Sequence, residues 1–354
     1  MRIVALRQTL ADTGAKDCHI DRVLRAWLQA RPLDSGSRRH PAASYLPLAL
    51  REALPRLDES LGQLARLRSE HPGEDGTRLL VELADGHLIE SVLLPRGGLC
   101  VSTQVGCAVG CTFCMTGRDG LIRQVDSGEI VAQLVLARRL RAVQKVVFMG
   151  MGEPSHNLDN VLEAIDELGT YGGIGHKNLV FSTVGDLRIF PRLREQRVIP
   201  ALAISLHSTR TELRAELLPK APRLEPEELV GLAEIYARET GYPIQYQWTL
   251  IDGINDSEAE MDGIVRLLTG KYALMNLIPY NTTAALAYRR PSLDKVTALA
   301  RYLHTRGIRV TVRNSAGQDI DGGCGQLRAR AGKPVRLSQR EASAIHPVQG
   351  STGQ

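Results

Sequence analysis

Residues 99–114 read LCVSTQVGCAVGCTFC and contain four of the six cysteines of the chain. Cys107, Cys111 and Cys114 are separated by three and by two residues, and they follow a run rich in apolar and β-branched side chains. This pattern predicts a strand that ends in a short loop carrying three thiolates. A secreted protein held together by disulfides does not need such clustering, so the cysteines indicate metal or redox chemistry.

Three thiolates are one fewer than a [4Fe–4S] cluster usually takes. One iron then stays open, where it can chelate the amino and carboxylate groups of S-adenosylmethionine (SAM) and deliver an electron to the sulfonium. A structural zinc site is the alternative, and it requires a fourth protein ligand. Since no His or Cys occurs among the 40 residues after Cys114, the spacing favours the cluster.

From residue 99 onward the chain alternates strand-like and helical patterns. Strands are predicted over 99–105, 145–149, 178–182, 201–206, 245–250, 273–278 and 308–313. Six βα units of this kind predict an α/β protein, a partial (β/α)6 barrel with its active site at the carboxyl ends of the strands. Ahead of it, residues 20–30 and 46–66 have helical periodicity, and residues 79–94 predict a β-hairpin around Asp85-Gly86.

Four regions follow from these patterns. We expect a helical accessory region, a β-hairpin extension, a barrel core and a basic tail, over residues 1–78, 79–95, 96–327 and 328–354. The tail after Gly325 carries five basic residues and one acidic residue, within a net charge of +5 for the whole chain. A basic tail suits an anionic partner, although a solvated tail has the same composition.

Composition excludes several classes. Hydrophobic residues make up 43% of the 354 residues, so the chain is not wholly disordered. We find neither an apolar run long enough to span a membrane nor an apolar leader, and we expect a cytoplasmic protein without a membrane partner.

Polar residues recur where the predicted strands end. Gly150-Met151-Gly152-Glu153-Pro154 follows one strand, and Glu153 could bind the ammonium group of SAM. The other strand ends carry Ser182, Ser205-Leu206-His207 and Asn281. Each of these is an ordinary turn residue when taken alone. Together they predict a ring of polar groups around one opening, which suits a polar ligand such as SAM.

The three cysteines outside the triplet are ambiguous. Cys100 lies seven residues before Cys107, and Cys324 stands among Gly322, Gly323 and Gly325, where a thiol can change position or approach a ligand closely. A buried structural cysteine is the ordinary alternative for both. For Cys18 we expect that structural role.

Read together, these motifs resemble the RlmN/Cfr family of radical SAM RNA methyltransferases. The resemblance runs from about Asp85 to Leu327, through IESVLLP, LCVSTQVGCAVGCTFCMTG, VVFMGMGEPSHN, SLHS, ELLPKA, LIPYN and DIDGGCGQL. Its specific part is the pairing of a glycine-flanked late cysteine with a cysteine seven residues ahead of the triplet. Radical SAM enzymes in general do not share that pair.

The resemblance implies a mechanism. Cys324 would accept a methyl group from one SAM, and the cluster would reduce a second SAM to a 5′-deoxyadenosyl radical. That radical would take hydrogen from the methyl group, and the resulting carbon radical would add to carbon 2 or 8 of an adenine in RNA. Cys100 would then attack the sulfur of Cys324 and release the product, leaving a transient disulfide. Glu90 matches the position of the general base, or proton acceptor.

The resemblance also implies the ligand set and the partners. The positions that match SAM contacts are Gly152, Glu153, Ser182, Ser205, Leu206, His207 and Asn281. The partners would be ribosomal or transfer RNA and an electron donor such as flavodoxin or ferredoxin. Pro222 and the segment TTAALAYRRPS after Asn281 depart from the family pattern, so the target RNA and the target carbon stay open. The alternatives are a radical SAM enzyme acting on another substrate and a non-catalytic RNA-binding protein with structural zinc.

Overall fold

The structure is a computed structural model, and it describes residues 1–35, 41–283 and 286–313. Cys324 and the basic tail, which are part of the expected mechanism and of the expected RNA contact, lie outside the described residues. No helix among the described residues is long and apolar enough to cross a membrane.

Three helices form the first part of the chain: α1 (Ile3–Ala11), α2 (Asp17–Leu28) and α3 (Leu48–Gln63). The helical periodicity of residues 20–30 and 46–66 is confirmed, although α2 begins earlier and α3 ends earlier than the patterns indicate. The sequence does not indicate α1, whose short apolar stripe is Ile3, Leu6 and Leu10. Cys18 is exposed at the start of α2, so the prediction of a buried structural cysteine is wrong there.

A three-stranded antiparallel unit follows, made of β1 (Arg66–Gly73), β2 (Gly76–Glu82) and β3 (Leu88–Leu94). The predicted hairpin is β2 and β3, and its turn closes with a hydrogen bond from Gly86 N–H to Leu83 O of 2.9 Å. β1 is not predicted because its side chains alternate only between exposed and half-buried, which leaves no apolar face to detect.

The barrel strands extend the same sheet, which runs in the order β1-β2-β3-β4-β7-β8-β9-β10-β11-β12. The strands from β4 onward in that order are parallel to one another. They are β4 (Gly98–Cys100), β7 (Lys145–Phe148), β8 (Leu179–Thr183), β9 (Ala201–Ser205), β10 (Ile244–Leu250), β11 (Ala273–Pro279) and β12 (Val310–Val312). The prediction of an α/β protein with parallel barrel strands is confirmed in this sheet.

The helices follow the strands along the chain. They are α4 (Ser127–Leu140), α5 (Leu158–Thr170), α6 (Ile189–Arg194), α7 (Thr211–Leu217), α8 (Pro226–Thr240), α9 (Glu258–Leu268) and α10 (Leu293–Thr305). α1 is joined to this layer by two ion pairs with α5, Arg2–Glu163 at 2.9 Å and Arg7–Glu167 at 3.1 Å.

The strand predicted over 99–105 is wrong in its second half. β4 ends at Cys100, and Val101 still donates to the carbonyl of Val147 at 3.0 Å. The chain then leaves the large sheet, and β5 (Gln104–Gly106) pairs antiparallel with β6 (Leu121–Gln124) instead. This small second sheet brackets the cysteine triplet.

The two faces of the large sheet differ in what they contact. Alternate residues such as Leu99, Phe148 and Trp248 belong to the main apolar core that includes the helices. The residues between them point to the opposite face, since successive side chains of a strand alternate. A separate apolar cluster lies on that inner face, and its buried members are Val92, Cys100, Val147, Val180, Ala201 and Ala203. Cys100 therefore points into the barrel.

Candidate active site

The cysteine triplet lies in a loop fixed at both ends by backbone hydrogen bonds. Cys107 N–H donates to Gly120 O at 3.0 Å, and Cys114 N–H donates to Cys111 O at 3.0 Å. Gly106 precedes the loop at φ +83°, and a Cβ there would lie 2.0 Å from Gly120 O. Only glycine fits this position, because both the conformation and the space exclude a side chain. The loop geometry that the spacing predicts is thus enforced by its glycines.

The three thiols of the triplet are close enough to affect one another. Burial raises the pKa of Cys107 to about 12, and the neighbouring Cys114 adds to the shift. Burial also raises the pKa of Cys111, again with contributions from Cys114 and Cys107. The thiols of Cys107 and Cys111 are therefore protonated near neutral pH without a metal, so metal binding must release these protons.

Glu153 follows β7 and is buried beside the triplet. Its Oε1 accepts a hydrogen bond from Ser155 N–H at 3.1 Å, and its Oε2 accepts one from Val184 N–H at 3.0 Å. Burial raises the pKa of Glu153. A buried carboxylate held by backbone donors is a ready partner for a cationic group, which fits the ammonium contact expected for this residue.

Gly152 is required by the protein's own packing. Its φ is +104°, and a Cβ would lie 2.6 Å from the side chain of Gln104. Gln104 in turn accepts a hydrogen bond from Glu153 N–H at 2.8 Å. The glycine of this motif therefore allows the segment after β4 to approach, and its presence alone does not indicate a ligand.

Ser182 in β8 and Ser205 in β9 share the inner face with Cys100. Ser182 is paired in register with Ala203, and Val180 with Ala201, so the serines continue the rows of the inner apolar cluster. The structure brings these two hydroxyl groups to the carboxyl ends of neighbouring strands, where Glu153 also lies. The predicted ring of polar strand ends is present in this part of the barrel.

His207 ends the β9 motif in a left-handed backbone conformation, with φ 60°. Its Nδ1 accepts a hydrogen bond from Thr249 N–H at 3.0 Å. Its ring packs edge to face with the ring of Phe113 from the cysteine loop, with the two ring centroids 4.9 Å apart. Burial lowers the pKa of His207 to about 3, with a contribution from Arg214. The ring is therefore neutral with its hydrogen on Nε2, and it links the β9 end to the loop.

Glu90 and Cys100 are neighbours on the inner face. Cys100 is paired with Val92, two residues from Glu90 on the same side of β3. Arg78 from β2 forms an ion pair with Glu90 at 3.0 Å, and both side chains are buried. Burial raises the pKa of Cys100 to about 12, whereas the nearby Arg78 lowers it. An acid–base group and a thiol thus lie together in the barrel wall.

Two buried residues of the site give no signal in the sequence. Arg214 of α7 donates hydrogen bonds to the carbonyls of Val184 and Ser205. Its guanidinium also interacts electrostatically with Cys111. Gln133 of α4 accepts hydrogen bonds from Ser102 N–H and from the Ser91 hydroxyl, each at 2.8 Å. Both are ordinary helix residues in the sequence, because their partners are distant along the chain.

The remaining predicted positions are partly described. Asn281 follows β11, and its Oδ1 accepts from Arg290 Nη1 at 3.4 Å. Leu206 is fully buried beside the β9 end. The five cysteines of the described residues, Cys18, Cys100, Cys107, Cys111 and Cys114, are all free thiols.

Comparison with known proteins agrees with this geometry. The sequence model of the radical SAM superfamily matches residues 101–263. The chain belongs to that superfamily. A probable RNA methyltransferase of Dechloromonas aromatica is 77% identical over 331 residues, which are 93% of either chain. One from Pseudomonas aeruginosa is 70% identical over 332 residues, or 94% of this chain and 96% of the relative. At this similarity the radical SAM chain belongs to the same family as these two proteins.

A solved structure shares the fold. The radical SAM methyltransferase of Sphaerobacter thermophilus is 33% identical, with a TM-score of 0.78, over 92% of this chain and 97% of that one. Coverage of 92% of this chain is more than the barrel core alone accounts for.

Radical SAM proteins imply a [4Fe–4S] cluster and SAM, and the residues present fit both. Among the described residues no three His, Cys, Asp or Glu side chains form a site for a single metal ion. The ligands of a [4Fe–4S] cluster do not have to converge on one ion, because each thiolate binds a different iron. Cys107, Cys111 and Cys114 influence one another from one short loop, and the buried Glu153 is close to two of them. Three thiols beside a carboxylate suit a cluster with SAM at its open iron.

Proposed function

We propose that this radical SAM protein methylates carbon 2 or carbon 8 of an adenine in ribosomal or transfer RNA, by way of a methyl group on Cys324. One observation carries the proposal: Glu90 and Cys100 lie on the inner face of the barrel, the face that also carries Ser182 and Ser205. A structural cysteine would not need an ion-paired carboxylate beside it. The names of the relatives, probable RNA methyltransferases, support the same reaction class.

In this mechanism Cys107, Cys111 and Cys114 hold the cluster, which supplies one-electron reduction of SAM when it is bound. The residues assigned to SAM are Gly152, Glu153, Ser182, Ser205, Leu206, His207 and Asn281. Glu153 binds the ammonium group, since it is a buried carboxylate within reach of the triplet. His207 contributes a neutral imidazole whose Nε2–H can donate a hydrogen bond.

Cys324 attacks the methyl group of SAM as a thiolate and becomes methylated. Once the methyl carbon is bonded to the adenine, Glu90 accepts the proton that the adenine carbon loses. Cys100 then attacks the sulfur of Cys324 as a thiolate, and the bond between that sulfur and the transferred carbon breaks. The electron pair of that bond stays on the carbon, now a methylene on the adenine, which takes up a proton to become the methyl group of the product. The two cysteines are left as a disulfide, which a cellular thiol reductant returns to thiols. Arg78 holds Glu90 in place for its step.

The partners follow from charge and exposure. We assign RNA contact to the basic residues of the first 78 residues and of the tail, and substrate chemistry to the barrel of residues 96–327, with the hairpin extension of residues 79–95 between them. Cys111 and Cys114 are half-buried, so a flavodoxin or ferredoxin can bring its electron close to them. The need for reduced thiols places the reaction in the cytoplasm.

The direct test is nucleoside mass spectrometry of RNA from cells with and without the gene. We expect 2-methyladenosine or 8-methyladenosine to disappear from one RNA class when the gene is deleted, and to return with the wild-type copy. A full complement of both nucleosides in the deleted strain would refute the proposal.

The two outlying cysteines give a sharper test in purified protein. Cys324→Ala cannot carry a methyl group, so it should be inactive and free of bound RNA. Cys100→Ala should form the bond to RNA but fail to release it, and should therefore accumulate a covalent protein–RNA adduct. A thioether survives denaturant and reductant, so the adduct should run as a slow band on a denaturing gel and vanish after nuclease treatment.

The controls separate this mechanism from a structural role for the thiols. Cys18→Ala, at an exposed thiol, should behave as wild type. If Cys100→Ala turns over normally, or if both active-site variants trap RNA equally, the assigned roles are wrong.

A further inference from the structure

Asn276 lies in the middle of β11 and is fully buried. Its neighbours Met275 and Leu277 pack into the main core between sheet and helices. Because side chains alternate along a strand, Asn276 points to the opposite face, into the barrel. It is therefore an amide on the same inner face as Ser182, Ser205 and Cys100.

The Asn276 amide has no partner within the part of the chain that the structure describes: neither Nδ2 nor Oδ1 forms a hydrogen bond. Asn255 shows what a structural asparagine looks like in this protein. It is equally buried, and its amide makes three hydrogen bonds of 2.8 to 2.9 Å, to Ile251, His207 and Thr249. A buried amide without partners destabilises the fold. This loss of folding stability is offset if a ligand forms the two missing hydrogen bonds, so the unpartnered amide indicates a ligand site.

Asn276 is one member of a polar row that crosses three parallel strands. Ser205 of β9 is paired in register with Gln247 of β10, and Gln247 with Asn276. Gln247 is held in one orientation, because its Nε2 donates to Gln245 O at 3.0 Å. The row thus begins at a residue assigned to SAM and continues to an unsatisfied amide, which places both within one binding region.

The chemistry of the amide restricts the ligand. A side-chain amide offers one donor and one acceptor on a single edge. Adenine presents the complementary edge, a donor amino group beside an acceptor ring nitrogen, and asparagine binds it with two hydrogen bonds. We propose that Asn276 binds the edge of an adenine ring inside the barrel through both amide atoms. Two adenines enter this barrel under the proposed function, on which the inference rests: that of SAM and the target base.

Two alanine variants test this assignment in the cluster-containing protein, Asn276→Ala and Asn255→Ala. The first measurement is the thermal midpoint without ligand. Asn276→Ala loses no hydrogen bond and should melt at or above the wild-type midpoint. Asn255→Ala loses three and should melt several degrees lower, since about 1 kcal/mol shifts the midpoint of a large domain by about 2 °C.

The second and third measurements distinguish the two adenines. If Asn276 binds the adenine of SAM, the dissociation constant of SAM should rise by about tenfold or more in Asn276→Ala. If it binds the target base, SAM affinity should stay within twofold of wild type, and kcat/KM for RNA should fall by about tenfold or more at saturating SAM.

The inference is overturned if SAM affinity and kcat/KM both stay within about threefold of wild type. It is equally overturned if Asn276→Ala melts as low as Asn255→Ala, because the amide would then be satisfied within the fold. Absence of methylated adenine with the wild-type protein would instead count against the proposed function. The SAM measurement would still decide the role of Asn276 in that case.

Discussion

His207 combines a backbone conformation that few side chains adopt with a fully buried ring. The contacts of Nδ1 and of the ring edge tie it to β10 and to the cysteine loop at once. Since burial lowers its pKa to about 3, the folded protein cannot accept a proton there at mildly acidic pH. Its stability must therefore depend on pH.

The sign of that dependence is fixed. An unfolded histidine has a pKa near 6.5, so between about pH 6.5 and pH 3 the unfolded chain binds a proton that the folded chain does not. The free energy of unfolding should thus fall as the pH falls through this window. Between pH 7 and pH 5, urea titrations should show wild type losing about 2 kcal/mol more than His207→Asn. Asparagine tolerates the same positive φ, and an equal loss in both proteins would contradict the assignment.

The cysteine triplet makes a second prediction at this scale. Cys111→Ala should remove the cluster and all SAM cleavage, because two thiolates cannot hold the cube. Iron and sulfide analysis after anaerobic purification, with absorbance near 400 nm, measures the loss. Cys18→Ala is the matched control, and retention of full iron content in Cys111→Ala would disprove the ligand assignment.

Individual residues of the site differ in how visible they are in the sequence. The triplet is visible because a loop must supply its ligands at short spacing. Arg78, Arg214 and Asn276 are not, because each owes its role to residues that are brought near only by the sheet. A basic residue in a hairpin strand and an amide in an apolar strand look like exceptions until the facing strands are known.

Among the elements, the cysteine loop is the most constrained by its backbone. It lies between β5 and β6, and Gly106 leaves no room for a side chain at the first of these strands. The sequence indicates the loop, but not that the strand before it leaves the large sheet. That departure is decided by pairing with β6, whose residues lie 15 to 20 positions beyond their partners in β5.

Gly106→Ala should therefore displace the loop. A Cβ only 2.0 Å from Gly120 O would force β5 and β6 apart. We expect Gly106→Ala either to lower the free energy of unfolding by about 3 kcal/mol or to lose the bound iron. Gly231→Ala is the control, because Gly231 lies in α8 with open space around it and helices favour alanine by about 1 kcal/mol. Chemical denaturation and iron content of both variants check this. A Gly106→Ala protein as stable and as iron-rich as Gly231→Ala would contradict the structure.

At the scale of the whole molecule, α1 and α2 bind the helical first part to the barrel. Arg2 and Arg7 reach the carboxylates of Glu163 and Glu167 across some 160 residues of sequence. The repeating βα pattern made the barrel predictable, because each unit carries its own local signal. The attachment of α1 has no such local signal, since its apolar contacts and its ion pairs both join segments that are distant along the chain.

RNA binding belongs to this scale as well. Replacing Arg328, Arg330, Lys333, Arg336 and Arg340 by Gln together removes five positive charges and keeps the chain length. Each phosphate contact contributes about 0.7 to the slope of log affinity against log salt for single strands. We expect the magnitude of this slope, measured by filter binding between about 50 and 200 mM salt, to decrease by up to about 3.5. The control is Arg266→Gln, because Arg266 is exposed and forms an ion pair with Glu227. An unchanged slope in the variant with all five substitutions would exclude the tail from RNA contact.

The segment between Cys100 and Cys107 is held in place by hydrogen bonds to the sheet and to α4. Val101 N–H donates to Val147 O, and the Val101 carbonyl accepts a hydrogen bond from Gly150 N–H. The side chain of Gln133 binds both the N–H and the carbonyl of Ser102. These bonds fix the path of the backbone from the inner-face thiol to the first cluster thiol. One residue inserted here would break this pattern of hydrogen bonds and shift the cysteine loop relative to Cys100. We therefore expect relatives that use both thiols to keep the same number of residues between them, while their outer loops are free to vary in length.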